Sequence, residues 1–282
     1  MVATLRKSLK TIEDYKSANP YYTELLDIMA DILILREEYL KNMTDSVFNV
    51  EENLISKKMN GGLPLIDLTG KEFDLKRPKE YFNSLISIAG KRMPEVAQNI
   101  SDIINDPQFD WEKSVRASFD HKIEKTNTPE SPAESEAEDN IDLVELFLEE
   151  SLRPELEIIA KRYVEIVGKS DWSEGYCPIC GKEPKIGEIR EEDGKRYLFC
   201  HQCGFKWYFN SIKCPFCGND EQQSLAYFEV EGDERYRVDV CNKCWRYIKT
   251  VELPKSSEEP NLDVEDIATL HLDMIAYDEG YN

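Results

Sequence analysis

Apolar residues in the amino-terminal half of the chain recur at helical spacing. Over residues 20–40 they fall every three or four positions along the sequence. This period places them on one wide face of a helix, as in a helix that packs against a core. Similar patterns predict a second helix over about 78–90, a third over about 94–104 and a fourth within 109–123. Residues 1–123 are therefore expected to form a helical amino-terminal domain.

The polar stretch that follows contains no large apolar residue. Residues 124–140 read EKTNTPESPAESEAEDN, and such a segment cannot bury enough surface to offset the entropy lost on ordering. We expect an acidic disordered loop there. Helical spacing resumes over residues 141–168, which we expect to form connecting helices. Pro154 either bends this helical segment or starts a new helix, and Gly168 is its expected end.

The pattern changes to short strands in residues 172–253. Segments rich in aromatic and β-branched residues, such as 225–230 and 236–240, lie between glycines. This arrangement is typical of hairpins. Helical spacing returns over residues 267–276, within an acidic carboxy-terminal segment of residues 254–282.

All eight cysteines of the chain occur in Cys-x-x-Cys turns, which we call knuckles. Two thiolates three residues apart on a tight turn converge on one metal ion, and two such turns supply the four sulfurs of a tetrahedral site. The four knuckles therefore predict two metal ions, and four-sulfur ligation accepts iron as well as zinc. The predicted ligands are Cys177 and Cys180 in the first knuckle, Cys200 and Cys203 in the second, Cys214 and Cys217 in the third, and Cys241 and Cys244 in the fourth.

The spacing of the knuckles favours one pairing. Nineteen residues separate Cys180 from Cys200 and twenty-three separate Cys217 from Cys241, whereas only ten follow Cys203 before the third knuckle. The simplest arrangement joins the first knuckle to the second and the third to the fourth. A crossed arrangement, first with third and second with fourth, stays open. His201 lies inside the second knuckle, but four cysteines fill four positions without it.

The residue after each knuckle also carries information. A glycine there allows φ > 0, so that backbone N–H groups can point at the sulfurs and support the metal. The first three knuckles end in Gly181, Gly204 and Gly218, whereas the fourth is followed by Trp245. Together the patterns predict an α+β protein. A helical amino-terminal domain is followed by two tandem rubredoxin-like or zinc-ribbon modules and a short carboxy-terminal helix.

The charge pattern bears on partners and compartment. The formal net charge is −21, yet the cysteine-bearing residues 172–253 carry fourteen acids and twelve bases. An acidic chain is repelled by phosphate backbones, which argues against a nucleic-acid partner. No apolar run approaches the roughly 18 residues needed to span a bilayer, and residues 1–10 lack the apolar segment of a secretory signal. We expect a cytoplasmic protein without membrane insertion, in which paired cysteines bind metal more often than they form disulfides.

The carboxy-terminal half resembles the formate dehydrogenase accessory protein family FdhE. The resemblance runs from about Trp172 to Tyr281 and rests on the knuckles together with their flanking residues. It departs from the family pattern at Ser211 and at Trp245. The matching motifs are Gly175-Tyr-Cys-Pro-Ile-Cys-Gly181, Arg196-Tyr-Leu-Phe-Cys-His-Gln-Cys203, Cys214-Pro-Phe-Cys217, Cys241-Asn-Lys-Cys244 and Glu265-Asp-Ile-Ala-Thr-Leu-His-Leu-Asp273.

The resemblance implies a function and a metal. It implies a cytoplasmic factor needed to mature molybdenum- or tungsten-containing formate dehydrogenase, acting on the catalytic subunit before export or assembly. It also implies iron in rubredoxin-like sites. By this resemblance only the eight cysteines are candidate metal ligands. No catalytic motif such as Gly-x-Ser-x-Gly or a Walker loop occurs, so we do not expect an enzyme.

Three hypotheses of different class follow. The first is a non-enzymatic assembly factor whose metal domain presents a binding surface to its client. Trp207, Tyr208, Phe209 and Trp245 are aromatic candidates for that surface, and the alternative is that they pack over the metal sites. The second is an iron-containing redox protein that acts on a client enzyme. The third is a zinc-ribbon nucleic-acid binder, for which the expected basic stripe is missing. The sequence makes no prediction of the oligomeric state.

Overall fold

The computed structural model describes residues 3–67, 73–117, 143–255 and 258–282. The segment 124–140, for which we predict disorder, lies outside these residues. The chain divides into two compact units. Met1–Asp67 and Arg153–Asn282 belong to the first unit, and Leu68–Leu152 belong to the second. The domain boundaries inferred from the sequence stay predictions.

The described part of the chain contains ten α-helices. The helix predicted over 94–104 is confirmed as α5, and the one predicted over 78–90 is α4, which is two residues longer at each end. The helix predicted from Pro20 begins with a single 3-10 turn and continues as α2. The helices are α1 (Ala3–Ala18), α2 (Thr23–Asn42), α3 (Ile55–Asn60), α4 (Lys76–Arg92), α5 (Pro94–Ile104), α6 (Trp111–Ala117), α7 (Leu143–Ser151), α8 (Arg153–Gly168), α9 (Leu262–Ala268) and α10 (Leu270–Asp278).

The helical path breaks just before Pro154. Helix α7 ends at Ser151 and α8 begins at Arg153, so Pro154 lies in the first turn of a new helix. The missing N–H of proline costs nothing there, because first-turn N–H groups have no helical partner. Of the two alternatives left by the sequence, the restarted helix is the one that forms. None of the described helices is both long enough and apolar enough to cross a lipid bilayer.

The metal-binding half forms one continuous six-stranded sheet. Its order is β3-β2-β1-β6-β5-β4, and all neighbours are antiparallel except β1 and β6. The parallel β1–β6 pair, with Ile186 opposite Lys249, joins the two modules edge to edge. The tandem modules predicted from the sequence therefore share a sheet. The strands are β1 (Ile186–Arg190), β2 (Lys195–Phe199), β3 (Lys206–Phe209), β4 (Leu225–Phe228), β5 (Tyr236–Cys241) and β6 (Arg246–Leu253).

The knuckles lie at the ends of these strands. The first knuckle precedes β1, the second connects β2 to β3, the third lies between β3 and β4, and the fourth connects β5 to β6. Apolar side chains alternate along β5, which buries Val238 and Val240 on one face. Helices α9 and α10 contribute Leu262 and Leu272 to the same core. Helix α9 also contributes Val264 to the separate core of α1 and α2, so both of its faces are buried.

Candidate metal centres

The structure brings the eight cysteines together in two groups of four. Within each group the sulfur atoms all lie within 4.8 Å of one another. The first centre consists of Cys177, Cys180, Cys200 and Cys203, and the second centre consists of Cys214, Cys217, Cys241 and Cys244. The first knuckle therefore pairs with the second and the third with the fourth. The crossed arrangement does not occur, and His201 belongs to neither group.

The sulfur spacing fits a tetrahedral metal site. In the first centre Sγ of Cys177 is 3.4 Å from Sγ of Cys203, and Sγ of Cys180 is also 3.4 Å from Sγ of Cys200. The matching distances in the second centre are 3.7 Å. Four sulfurs at about 2.3 Å from one ion lie about 3.8 Å apart, whereas a disulfide bond is about 2.05 Å long. All eight cysteines are free thiols, and the two donor sets fit two metal ions, iron or zinc.

The crowding of four thiols shifts their pKa values in opposite directions. A hydrogen bond from Cys244 lowers the pKa of Cys214 to about 5, and the same bond raises the pKa of Cys244. In the first centre burial raises the pKa of Cys200, but hydrogen bonds from Cys177 and the other two cysteines outweigh it and lower that pKa. The pKa of Cys177 is raised, chiefly by burial. The pKa values of these neighbouring thiols are thus driven apart, and a divalent cation among the sulfurs would favour the thiolate form.

Each knuckle is closed by the same backbone hydrogen bond. The N–H of Gly181 donates to the carbonyl oxygen of Cys177, and the N–H groups of Gly204 and Gly218 make the equivalent bonds. All three glycines have φ between 72° and 81°, a left-handed conformation that glycine adopts without steric cost. The predicted positive φ is therefore confirmed at all three glycines, whose own N–H groups end the turn. In the first knuckle the N–H of Ile179 points at Sγ of Cys177 at 3.4 Å.

Trp245 takes the glycine position in the fourth knuckle. Its φ is 58°, and its N–H donates to the carbonyl oxygen of Cys241 at 2.8 Å. A side chain in this conformation costs roughly 1–2 kcal/mol. Contacts with the last two residues offset that cost. The indole stacks on Tyr281 with ring centroids 5.7 Å apart, and the N–H of Asn282 donates to the carbonyl oxygen of Trp245 at 2.7 Å.

Other parts of the chain cover the first centre. The N–H groups of Leu65 and Ile66 donate to the carbonyl oxygens of Pro178 and Ile179 at 2.9 and 2.8 Å. The first knuckle is thereby attached to the segment that follows α3. All four cysteines of the centre are buried.

Arg153 covers the second knuckle. Its guanidinium donates to the carbonyl oxygen of His201 and binds the carboxylate of Asp263 at 3.0 Å. It also lies over the ring of Phe199, 5.7 Å from the centroid. Burial alone would raise the pKa of Asp263, but the charges of Arg153 and Arg36 hold it below its ordinary value. A buried charge cluster thus connects α8 and α9 to the second knuckle.

The second centre is more open than the first. Cys217 is exposed and Cys244 is half-buried, whereas Cys214 and Cys241 are buried. The side-chain amide of Asn219 donates to the sulfur of Cys241 at 3.6 Å. Such donors spread the charge of a thiolate and orient it.

The comparisons with known proteins cover the whole chain. A sequence model described as the central domain of FdhE matches residues 176–210, and one described as the FdhE carboxy-terminal domain matches residues 212–282. A protein named FdhE homolog from Aquifex aeolicus (strain VF5) is 26% identical over 278 residues, which is 97% of this chain and 91% of that protein. Residues 176–282 of this chain match the FdhE family, and the similarity to an FdhE homolog extends along nearly its whole length. These matches support a family of formate dehydrogenase accessory proteins.

Two further relatives support this assignment. A second FdhE homolog, from Stutzerimonas stutzeri (strain A1501), is 34% identical over 110 residues, 38% of this chain and 35% of that protein. The crystal structure of the FdhE protein from Pseudomonas aeruginosa has the same fold, with a TM-score of 0.68 and 20% identity. The match covers 99% of this chain and 92% of that one.

The acidic carboxy-terminal segment of residues 254–282 carries acids that are held by specific partners. Four of them pair with cations or tyrosines from other elements. Glu265 accepts hydrogen bonds from Tyr236 and Arg235 at 2.5 and 2.8 Å. Lys249, which is buried in β6, binds Asp266 and Asp273 at 2.8 and 2.6 Å. Four acids of the acidic carboxy-terminal segment, Asp263, Glu265, Asp266 and Asp273, therefore form part of the packed structure.

The aromatic candidates for a binding surface divide into two classes. Trp207 and Phe209 are only 5% and 2% exposed, so of the two alternatives left by the sequence these residues take the buried one. Both point to the same face of β3, because they are two residues apart on a strand. Tyr208 and Trp245 are about half-exposed, at 51% and 50%. These two stay candidates for contact with a partner.

Sequence reasoning did not single out Arg196 as a supporting residue. The side chain is 2% exposed in β2 and donates to the carbonyl oxygens of Asn210 and Lys213 at 2.6 and 2.5 Å. These two carbonyls belong to the loop that leads into Cys214. Arg196 therefore positions the third knuckle from a strand of the other module. Its place in the motif shared with the family was the available signal.

Proposed function

We propose that this protein is a non-enzymatic assembly factor for molybdenum- or tungsten-containing formate dehydrogenase. It acts in the cytoplasm on the catalytic subunit, before that subunit is exported or assembled. Similarity to FdhE proteins is the observation that carries this proposal, since it extends along nearly the whole chain. The six-stranded sheet, with a four-cysteine centre at each pair of knuckles, provides a rigid surface for contact with a protein client.

The eight cysteines are proposed as the ligands of two metal ions. The ions hold the knuckles at the ends of the sheet strands, and binding energy at such sites contributes directly to folding. In the second centre one ligand and the neighbouring Trp245 are accessible to a partner. We assign the client-binding face to the exposed side of the second centre, and Tyr208 on edge strand β3 is a separate candidate contact.

A binding experiment with a purified client tests the proposal. The tagged full-length chain is mixed anaerobically, at low salt and with reductant, with the catalytic subunit of a formate dehydrogenase from the same genome. We expect a stable complex with the wild type and at least about tenfold weaker binding for Tyr208→Ser and Trp245→Gly, a range typical of aromatic contacts at interfaces. Tyr21→Ser is the control, since Tyr21 is 86% exposed and lies outside the assigned face. Absence of binding by the wild type contradicts the function, and equal binding by all variants contradicts the assigned face.

A redox function is the second candidate. Four sulfurs accept iron as readily as zinc, and iron in such a site exchanges one electron. Elemental analysis and visible absorption of the anaerobically purified protein separate the two cases. Two irons per chain with a reversible colour change favour a redox protein, and a colourless zinc protein excludes it. A nucleic-acid function predicts salt-sensitive binding to DNA or RNA, which the charge of the cysteine-bearing residues argues against.

A further inference from the structure

The two centres differ in how completely the protein encloses them. Every cysteine of the first centre is buried. The first knuckle is hydrogen-bonded to Leu65 and Ile66, and the second is covered by the guanidinium of Arg153. An incoming ligand would have to displace both covers before it could reach a sulfur or the ion.

The second centre has an open side at Cys217. This cysteine is exposed, and its neighbour in the cluster, Cys244, is half-buried. No segment comparable to residues 65–66 is hydrogen-bonded to the third knuckle among the backbone contacts of the described residues. The difference is not local, because the first and third knuckles have nearly the same sequence, Cys-Pro-Ile-Cys-Gly and Cys-Pro-Phe-Cys-Gly.

A small cavity reaches the second centre from another side. It has a volume of about 40 Å³ and is lined by Cys214 and Cys241, but by neither of the other two cysteines. Three cations, Arg196, Lys213 and Arg246, line it together with a single acid. Nε of Arg196 is buried and has no hydrogen-bond partner. The cavity therefore has room for a small molecule next to two of the sulfurs, although Arg246 is already paired with Glu183.

We propose that the second centre is an exchangeable metal site, opened at Cys217, and that the first centre is a closed structural site. The incoming ligands are soft anionic donors such as external thiolates. The exchange is a ligand substitution in which no electron is transferred, so the thiolate that leaves the metal stays a thiolate or takes a proton from solvent. The proposal deepens the proposed function, because it makes the centre at the client-binding face the reactive one.

Metal-release kinetics of the full-length protein test this inference without any client. Elemental analysis first sets the metal content of the anaerobic, reduced protein. An excess of the coloured chelator 4-(2-pyridylazo)resorcinol is then added, and absorbance is followed. We expect one equivalent to leave on the order of tenfold or more faster than the other, the range over which supporting groups alter metal affinity. A single phase that releases both equivalents together overturns the proposal.

Alkylation identifies which centre opens. N-ethylmaleimide is added at the end of the fast phase, and the peptides are mapped by mass spectrometry. We expect label on Cys217 and its three partners and none on the first centre. Label that appears first on Cys177 or Cys180 overturns the assignment.

A matched pair of variants gives an independent measurement. Cys217→Ser and Cys180→Ser remove the same position from knuckles of nearly identical sequence. Cys217→Ser should retain one tightly held equivalent of metal and the wild-type circular dichroism, whereas Cys180→Ser should lose folded structure. A Cys180→Ser variant that folds and holds one equivalent of metal would contradict the structural role of the first centre. If neither variant holds metal, the second centre is structural and the proposal is wrong. The client-binding experiment tests the proposed function independently of this result.

Discussion

The guanidinium of Arg153 lies directly against the backbone of Gly204. A Cβ atom on Gly204 would be 2.8 Å from Nη2 of Arg153, and φ at Gly204 is +72°. The guanidinium cannot easily move aside, because it is held by the carbonyl oxygen of His201 and by Asp263. The second knuckle and the start of α8 therefore need both residues at once.

Gly204→Ala should destabilise the protein by about 2–3 kcal/mol. Roughly 1–2 kcal/mol comes from the left-handed backbone and the rest from the displaced guanidinium. Gly194→Ala is the matched control, since φ there is +65° and a Cβ would meet no atom within 4 Å. The measurement is urea unfolding of the metal-loaded variants. Equal losses for the two would show that contact with Arg153 contributes nothing.

Trp245 and Tyr281 should be energetically coupled. Trp245→Gly relieves the left-handed strain but removes the stacked ring, so its effect alone should be within about 1 kcal/mol of zero. In a Tyr281→Ala background the stack is already lost, and the same substitution should then stabilise by about 1 kcal/mol. A double-mutant cycle measured by urea unfolding gives the coupling energy, which we expect to be about 0.5–1.5 kcal/mol. Strictly additive effects would contradict the role of the stack.

Lys249→Met should cost about 3–5 kcal/mol. The substitution leaves the carboxylates of Asp266 and Asp273 without their shared cation, and removing one member of a buried ion cluster is strongly destabilising. Lys255→Met serves as control, because Lys255 is exposed. The free energy of unfolding at pH 7 measures both. A small loss for Lys249→Met would mean that the acids find other partners or take up protons.

The hydrogen-bonded group around Glu265 should make stability fall at high pH. Burial and the charge of Glu265 raise the pKa of Tyr15 from 10.0 to about 12. The unfolded chain then loses this proton first, so the contribution of Tyr15 to the free energy of unfolding is constant below pH 10 and declines as pH rises towards 12. Because Tyr15 is partly exposed, the loss should be about 1–2 kcal/mol, less than two pKa units alone would give. Tyr15→Phe should be less stable at pH 8 and should flatten this decline. An unchanged decline in the variant would assign it to other groups.

Local chemistry is what the sequence predicts well. The Cys-x-x-Cys spacing is a short-range pattern, so the eight sulfurs and their division into four turns were readable in advance. Spacing favoured the observed pairing, since ten residues between Cys203 and Cys214 leave little room for a hairpin. Helix α5 was predicted to the residue, because proline marks its start and apolar spacing marks its length.

Relationships between distant segments were decided only by the tertiary structure. The parallel pairing of β1 with β6 depends on hydrogen bonds between strands about 60 residues apart, for which no short-range pattern exists. In the sequence, Asp263 and Asp273 cannot be told apart from acids that face solvent. Only the folded chain pairs Asp263 with Arg153 and Asp273 with Lys249. The openness of Cys217 compared with Cys180 likewise follows from what packs over each knuckle, because the two turns themselves are almost identical in sequence.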